Sequence, residues 1–233
     1  MKNPLILALD FDDTDQALAL IKDIGPAADF YKIGMELYAA GGMAFVARVN
    51  ELGKKVFLDL KLYDISETVK RATRRICRAG LVNFLTVHGS RAVMEAAVEG
   101  RENTPTRLLA VTVLTSFDQD DLADLGYAVS VSELVELRVR KAVESRIDGI
   151  VCSPLEVGRV REIGGPKLTL VTPGVRSAGA AKGDQKRAAT PLEAIESGAD
   201  YLVIGRQVTR AEKPSAAYEA ILREINAPSV SKR

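Results

Sequence analysis

At 233 residues, with 47% hydrophobic and 27% charged side chains, the chain has the make-up of a globular protein with one large core, and single barrels of alternating strands and helices reach this size without splitting. Its 32 Lys and Arg against 31 Asp and Glu leave a net charge of +1, which excludes a whole-molecule field drawing in nucleic acid or an anionic membrane; an anionic ligand has to be held locally. No apolar run reaches membrane-spanning length, the amino end enters a strand-like run at once, and two distant cysteines with one histidine exclude a disulfide framework or a zinc cluster, so the expected location is cytoplasmic.

In chain order, short β-branched or apolar runs alternate with longer amphipathic stretches, the pattern of βα units feeding a parallel sheet. The first strand is predicted over 4–10 and its helix over 13–24; the turn between them, Asp10-Phe11-Asp12-Asp13, lacks the glycine fingerprint of a dinucleotide fold. A second strand over 29–34 and a helix over 38–52 follow. In Tyr31-Lys32-Ile33 the flanking residues are expected to face the helices, which turns Lys32 inward beside the third strand. That strand is predicted over 55–61, with its helix over 65–80. Further strands are expected over 83–88, 107–114, 148–152, 167–172 and 200–205, and further helices over 90–100, 131–146, 154–163, 189–197 and 214–226. Eight such units closing on themselves make a single (β/α)8 barrel of residues 1–226, with 227–233 as a flexible tail.

The third strand carries the most specific signal. In Val56-Phe57-Leu58-Asp59-Leu60-Lys61 the period of two puts Phe57, Asp59 and Lys61 on one face and the apolar residues on the other. An acid and a lysine then point into the barrel mouth, where barrel enzymes keep their chemistry and where a charge is costly unless paired. Asp64 adds a second carboxylate just beyond the strand. An amine flanked by carboxylates keeps its proton, so Lys61 is expected to be an acid that stabilises charge developing on carbon and then protonates it. Lys32, Asp59, Lys61 and Asp64 are expected to alternate in sign across the mouth. Structural alternatives stay open: Asp64-x-x-Glu67 has the form of a capping box for the third helix, and Asp59 with Lys61 has the form of a buried ion pair.

Later strand ends supply Thr115, Arg176, Gln185 and Arg206. The connection 173–189 is much longer than the roughly 2–6 residues usual between strand and helix, and its Gly, Ala and Lys content suits a lid. Lys182, Lys186 and Arg187 within it suit a solvated surface equally well. Gly205-Arg206 is more specific, because glycine lets a backbone approach closely and arginine grips phosphate in two places. Loops after strands seven and eight are where barrels most often hold phosphate. His88 ends the fourth strand and faces inward with Thr86; since a lysine already fills the proton-transfer role, it is expected to be a supporting group. Cys77 and Cys152 are expected to fill core.

Together these segments resemble the orotidine 5′-monophosphate decarboxylase family. The resemblance runs through the whole barrel: Leu9-Asp10, Lys32-Ile33-Gly34, Asp59-Leu60-Lys61-Leu62-Tyr63-Asp64-Ile65, Thr86-Val87-His88, Leu114-Thr115-Ser116, Thr172-Pro173-Gly174-Val175-Arg176, Gly183-Asp184-Gln185-Lys186-Arg187 and Ile204-Gly205-Arg206. The Asp-x-Lys-x-x-Asp element alone is shared with phosphosugar decarboxylases and hexulose-phosphate synthases; Lys32, the Thr-Pro-Gly-Val-Arg strand end and the Asp-Gln-Lys-Arg loop separate the nucleotide decarboxylases from them. The resemblance implies decarboxylation of orotidine 5′-monophosphate to uridine 5′-monophosphate in pyrimidine biosynthesis, without metal or organic cofactor. Lys61 would protonate C6, Asp59 would sit against the substrate carboxylate, and Lys32 and Asp64 would complete the charged array. It further implies a homodimer in which Asp64, Ile65 and Thr68 reach into the neighbouring subunit's site, with Asp10 on the ribose, Thr115 or Ser116 on the base, and Gln185, Gly205, Arg206 and Arg176 on the phosphate. Departures from the family pattern at Ser66, Gly89, Gly183 and Gln207 bear on loop geometry and remove no reacting group. Two rival readings remain. A metal-dependent phosphosugar decarboxylase or synthase is opposed by Lys32, whose cation repels a metal; a non-catalytic phospho-ligand barrel has no use for two lysines and two carboxylates.

Overall fold

The computed structural model describes residues 3–177 and 189–227. The chain runs β1 (Leu5–Leu9), α1 (Thr14–Ile24), β2 (Phe30–Gly34), α2 (Met35–Glu51), β3 (Lys55–Leu62), α3 (Ser66–Arg78), β4 (Phe84–His88), α4 (Arg91–Arg101), β5 (Arg107–Val111), α5 (Gln119–Asp124), α6 (Val131–Glu144), β6 (Gly149–Val151), α7 (Val157–Gly164), β7 (Thr169–Thr172), α8 (Pro191–Glu196), β8 (Tyr201–Ile204), α9 (Arg206–Thr209) and α10 (Pro214–Asn226). Each strand pairs in parallel with the next, and β1 also pairs with β8, so the sheet closes into a barrel. The expected (β/α)8 architecture is therefore present.

Period-two alternation sorts the strand residues into two cores. Tyr31, Ile33, Val56 and Leu58 pack outward against the helices, and Phe30, Phe57, Phe84, Leu109, Val171 and Tyr201 fill the barrel interior. Phe30, Phe84 and Tyr201 open their strands, and the three rings meet one another with centroids 5.0–5.8 Å apart. Phe57 joins them 6.0 Å from Phe84, so aromatic side chains seal the amino-terminal end of the barrel. The charged pairs described below lie at the opposite, carboxyl-terminal mouth.

Helix starts follow local chemistry. Asp13 caps α1 by accepting from the N–H groups of Asp15 and Gln16, and reciprocal Ser130–Glu133 and Thr190–Glu193 capping boxes open α6 and α8. Several features depart from the sequence expectations. Helix α2 begins at once after Gly34 and is interrupted at Gly42, whose φ of 54° is left-handed. Strand β5 ends at Val111, earlier than predicted, and α5 and α9 are additional short helices.

Helices α3 and α4 approach closely because Gly100 has no side chain: a Cβ there would lie 2.3 Å from the carbonyl oxygen of Lys70. Helix propensity alone would make Gly100→Ala stabilising by about 1 kcal/mol. The obstacle is backbone, which does not rotate away, and overpacking of this kind costs about 1–3 kcal/mol. Gly100→Ala is therefore expected to be net destabilising, read as a lower urea midpoint at unchanged slope.

Candidate active site

A row of four charges crosses the mouth. Lys32 Nζ donates to Asp10 Oδ1 at 3.1 Å and lies 3.8 Å from Asp59 Oδ2, while Lys61 Nζ donates to Asp59 Oδ1 at 3.0 Å. The order Asp10, Lys32, Asp59, Lys61 alternates in sign, so each charge is paired where burial would otherwise penalise it. Lys32 and Asp59 are the buried pair, with side chains 13% and 14% exposed, whereas Lys61 at 37% faces the open mouth. Strand alternation accounts for three of the four: Lys32 follows Phe30 on the inner face of β2, and Asp59 and Lys61 follow Phe57 on β3. Gly34 leaves room for the row, since a Cβ there would stand 3.2 Å from Lys32 Nζ.

Lys61 is not in ordinary strand geometry. Leu58 pairs with Leu85 but Leu62 pairs with Val87, so β3 carries two more residues than β4 between these points. The bulge gives Lys61 a φ of 48°, a left-handed conformation that costs a residue with a side chain about 1–3 kcal/mol. Its backbone N–H finds a partner in the Thr86 hydroxyl at 2.9 Å, and that hydroxyl donates to Asp59 Oδ1 at 2.8 Å.

Asp64 is placed differently from the row. It lies beyond the end of β3, is exposed, and its carboxylate accepts from the N–H of Ile65 at 2.7 Å, its only hydrogen bond among the described residues. Within one subunit the structure does not bring it to Lys61, and the fourth member of the row is Asp10. The capping-box reading of Asp64 is also overturned: α3 starts one residue later, its N-cap is Ile65 with no side-chain cap, and Glu67 pairs with Arg71 at 2.7 Å instead of reaching back. Tyr63 and Ile65 are 69% and 72% exposed, and Thr68 is exposed on the first turn of α3.

On one side of the row lies a cleft of about 620 Å³ bounded by Asp10, Lys32, Gly174, Arg176, Gly205 and Arg206. Arg176 is half-buried; burial first, and the charge of Arg206 second, hold its guanidinium below the ordinary arginine range. An anion between the two arginines would remove that penalty. The Arg176 N–H donates to Ala189 O at 2.9 Å and Val175 bridges Ala189, which pins together the two ends of the long connection. Gln185, with Lys182, Lys186 and Arg187, lies outside the described residues, as does most of the expected lid and the tail.

On the other side a more apolar cavity of about 380 Å³ is lined by Lys61, Tyr63, His88, Leu114, Phe117 and Arg138. Thr115 and Ser116 follow Leu114 in the connection after β5. Arg138, on α6, donates to the carbonyl of Thr112 and to the Tyr127 hydroxyl at 3.0 Å, tying this connection down. Sequence reasoning missed Arg138 and the bracing by Thr86; the inward position of Thr86 beside His88 was the available signal.

His88 accepts from the N–H of Ser90 through Nδ1 at 3.2 Å, and its ring packs on Tyr63 with centroids 4.2 Å apart. Burial first, then the charge of Arg138, push it down to about 4, so it is neutral at physiological pH with its proton on Nε2. Because the folded value lies below the ordinary 6.5, this stabilisation is complete above pH 6.5 and is lost as pH falls towards 4. His88→Gln is therefore expected to flatten the decline of unfolding free energy across that window by at most about 3 kcal/mol, measured by urea unfolding at several pH values. Cys77 and Cys152 are both buried, and burial pushes the Cys77 thiol up, away from nucleophile chemistry.

The same architecture and sequence occur in known proteins. A model of the "Orotidine 5′-phosphate decarboxylase / HUMPS family" matches residues 3–221. The chain belongs to this family. Orotidine 5′-phosphate decarboxylases of Rhodopseudomonas palustris (strain HaA2) and Bradyrhizobium diazoefficiens are 50% and 52% identical to it over 224 residues, covering 96% of the chain and 95% and 94% of the relatives. A crystal structure of orotidine 5′-phosphate decarboxylase from Lactobacillus acidophilus superposes with a TM-score of 0.85 at 36% identity, over 97% of this chain and all of that one. In this family member, no helix among the described residues is long and apolar enough to cross a membrane.

Proposed function

We propose that the chain is a carboxy-lyase converting orotidine 5′-monophosphate to uridine 5′-monophosphate and carbon dioxide in pyrimidine biosynthesis, with Lys61 as proton donor and no metal or organic cofactor. The observation that carries the reading is the Asp10–Lys32–Asp59–Lys61 row, whose one exposed ammonium lies at the mouth between a basic cleft and a more apolar cavity. The cleft with Arg176 and Arg206 takes the 5′-phosphate and Asp10 the ribose, with Gly205 allowing close backbone approach; the connection holding Thr115 and Ser116 takes the base, and Gln185 adds to the phosphate grip. The C6–carboxylate bond breaks with its electron pair left on C6. That pair is poorly delocalised by the ring, so the Lys61 ammonium stabilises it electrostatically and then transfers a proton to C6. Asp59, held by both lysines and Thr86, presents negative charge to the departing carboxylate, a repulsion relieved as carbon dioxide leaves. Binding at the distant phosphate contributes to the barrier for the reacting carbon.

The exposed segment Tyr63–Thr68 supports a homodimer in which Asp64, Ile65 and Thr68 complete the partner's site, because one subunit leaves Asp64 away from its own Lys61 and Tyr63 and Ile65 uncovered. The metal-dependent branch of the family is disfavoured by Lys32, whose ammonium already stands against Asp10 and Asp59, the carboxylates a cation would need. Ultraviolet absorbance of orotidine 5′-monophosphate incubated with purified protein in chelator is the test. The absorbance is expected to fall to that of uridine 5′-monophosphate; activity abolished by chelator and restored by magnesium, or no activity at all, overturns the proposal.

A further inference from the structure

Thr86 lies on the inner face of β4, is fully buried, and touches the charged row from behind. Its hydroxyl does two things with one oxygen. It accepts from the backbone N–H of Lys61 at 2.9 Å and donates to Asp59 Oδ1 at 2.8 Å, the same carboxylate oxygen that receives Lys61 Nζ at 3.0 Å. Thr106 and Thr112, also buried, instead donate their hydroxyls to the main-chain carbonyls of Val82 and Val151.

Where the β3–β4 register shifts, the bulge takes the Lys61 N–H out of the strand ladder while turning the residue left-handed at φ 48°. Thr86 sits opposite the inserted residues, between the pairs Leu58↔Leu85 and Leu62↔Val87. The hydroxyl therefore stands in for a missing ladder bond and couples the strained backbone of the lysine to the orientation of its carboxylate partner. From this geometry we infer that Thr86 is a positioning residue for the decarboxylation step: it fixes where the Lys61 ammonium and the Asp59 carboxylate stand relative to each other, without touching the nucleotide. The inference rests on the proposed roles of Lys61 and Asp59. A donor displaced by a fraction of an ångström loses the chemical step while phosphate and ribose contacts, made elsewhere, keep substrate affinity.

The test is steady-state kinetics with orotidine 5′-monophosphate on Thr86→Val, Thr86→Ala and Thr86→Ser, alongside Lys61→Ala. Valine keeps the shape and removes the hydroxyl; serine and alanine both lack the γ-methyl and differ from each other only in the hydroxyl. Valine and alanine are expected to lower kcat by about 10–100-fold with KM within about threefold of the parent, and serine to retain kcat within about threefold. Parental kcat in Thr86→Val, a loss confined to KM, or a serine variant as slow as alanine overturns the assignment. If the valine variant fails to fold by circular dichroism, the serine–alanine contrast decides alone, and equal kcat in those two overturns it. A silent Lys61→Ala with a fully active Thr86→Val removes only the role of Thr86, whereas an active Lys61→Ala removes the reading of the site itself.

Discussion

Lys61→Ala is expected to lower turnover of orotidine 5′-monophosphate by at least about 10⁴-fold, the product of losing a general acid and a charge stabiliser at one position. Affinity for uridine 5′-monophosphate should stay within a few-fold of the parent, because Arg176 and Arg206 line a cleft on the far side of Asp59 and Lys32 from the lysine. Alanine leaves Asp59 paired with Lys32 and Thr86, so the variant is not left with an unpaired buried carboxylate. Single-turnover absorbance measurements and calorimetric titration with the product check the two halves separately. Near-parental turnover refutes the assigned role, and a large loss of product affinity shows the lysine to be a binding group.

The second large effect concerns Asp64. If its carboxylate serves the partner's lysine, Asp64→Ala is as silent as Lys61→Ala, yet the two variants complement. A hybrid dimer pairs an intact Lys61 on one subunit with an intact Asp64 on the other, giving one complete site and one doubly damaged one. Random exchange makes about half the dimers hybrid, so an equimolar mixture should recover about a quarter of parental activity from two nearly inactive parents. Assay after co-refolding, with hybrids counted by native mass spectrometry, gives the answer. Hybrids that form and remain inactive rule out the shared site.

Much of this was legible in the sequence because barrels impose two strong regularities. Period-two alternation in Tyr31-Lys32-Ile33 and Phe57-Leu58-Asp59 fixes which side chains turn inward, and the carboxyl-end rule says which of those carry chemistry. What escaped was set by geometry across strands or by a break in the period. Asp10 and Lys32 are 22 positions apart and meet because β1 and β2 are adjacent. The bulge at Lys61 leaves no mark in the alternation, since Asp59 and Lys61 keep their spacing of two while the ladder slips beneath them. Asp64-x-x-Glu67 satisfies the capping-box pattern, but the helix starts one residue late and Glu67 takes Arg71 instead. Helix α5 was unanticipated although Asp118 and Asp121 form a capping box, an acidic pair that the Ser/Thr–Glu form does not pick out.

The aromatic floor made by Phe30, Phe57, Phe84 and Tyr201 makes the barrel a cup and not a tunnel. On the proposed function, nucleotide entry, gas escape and proton resupply would all use one rim. Under that reading a bound nucleotide is a stopper over the place where carbon dioxide forms, and the gas would leave past the nucleotide's edge.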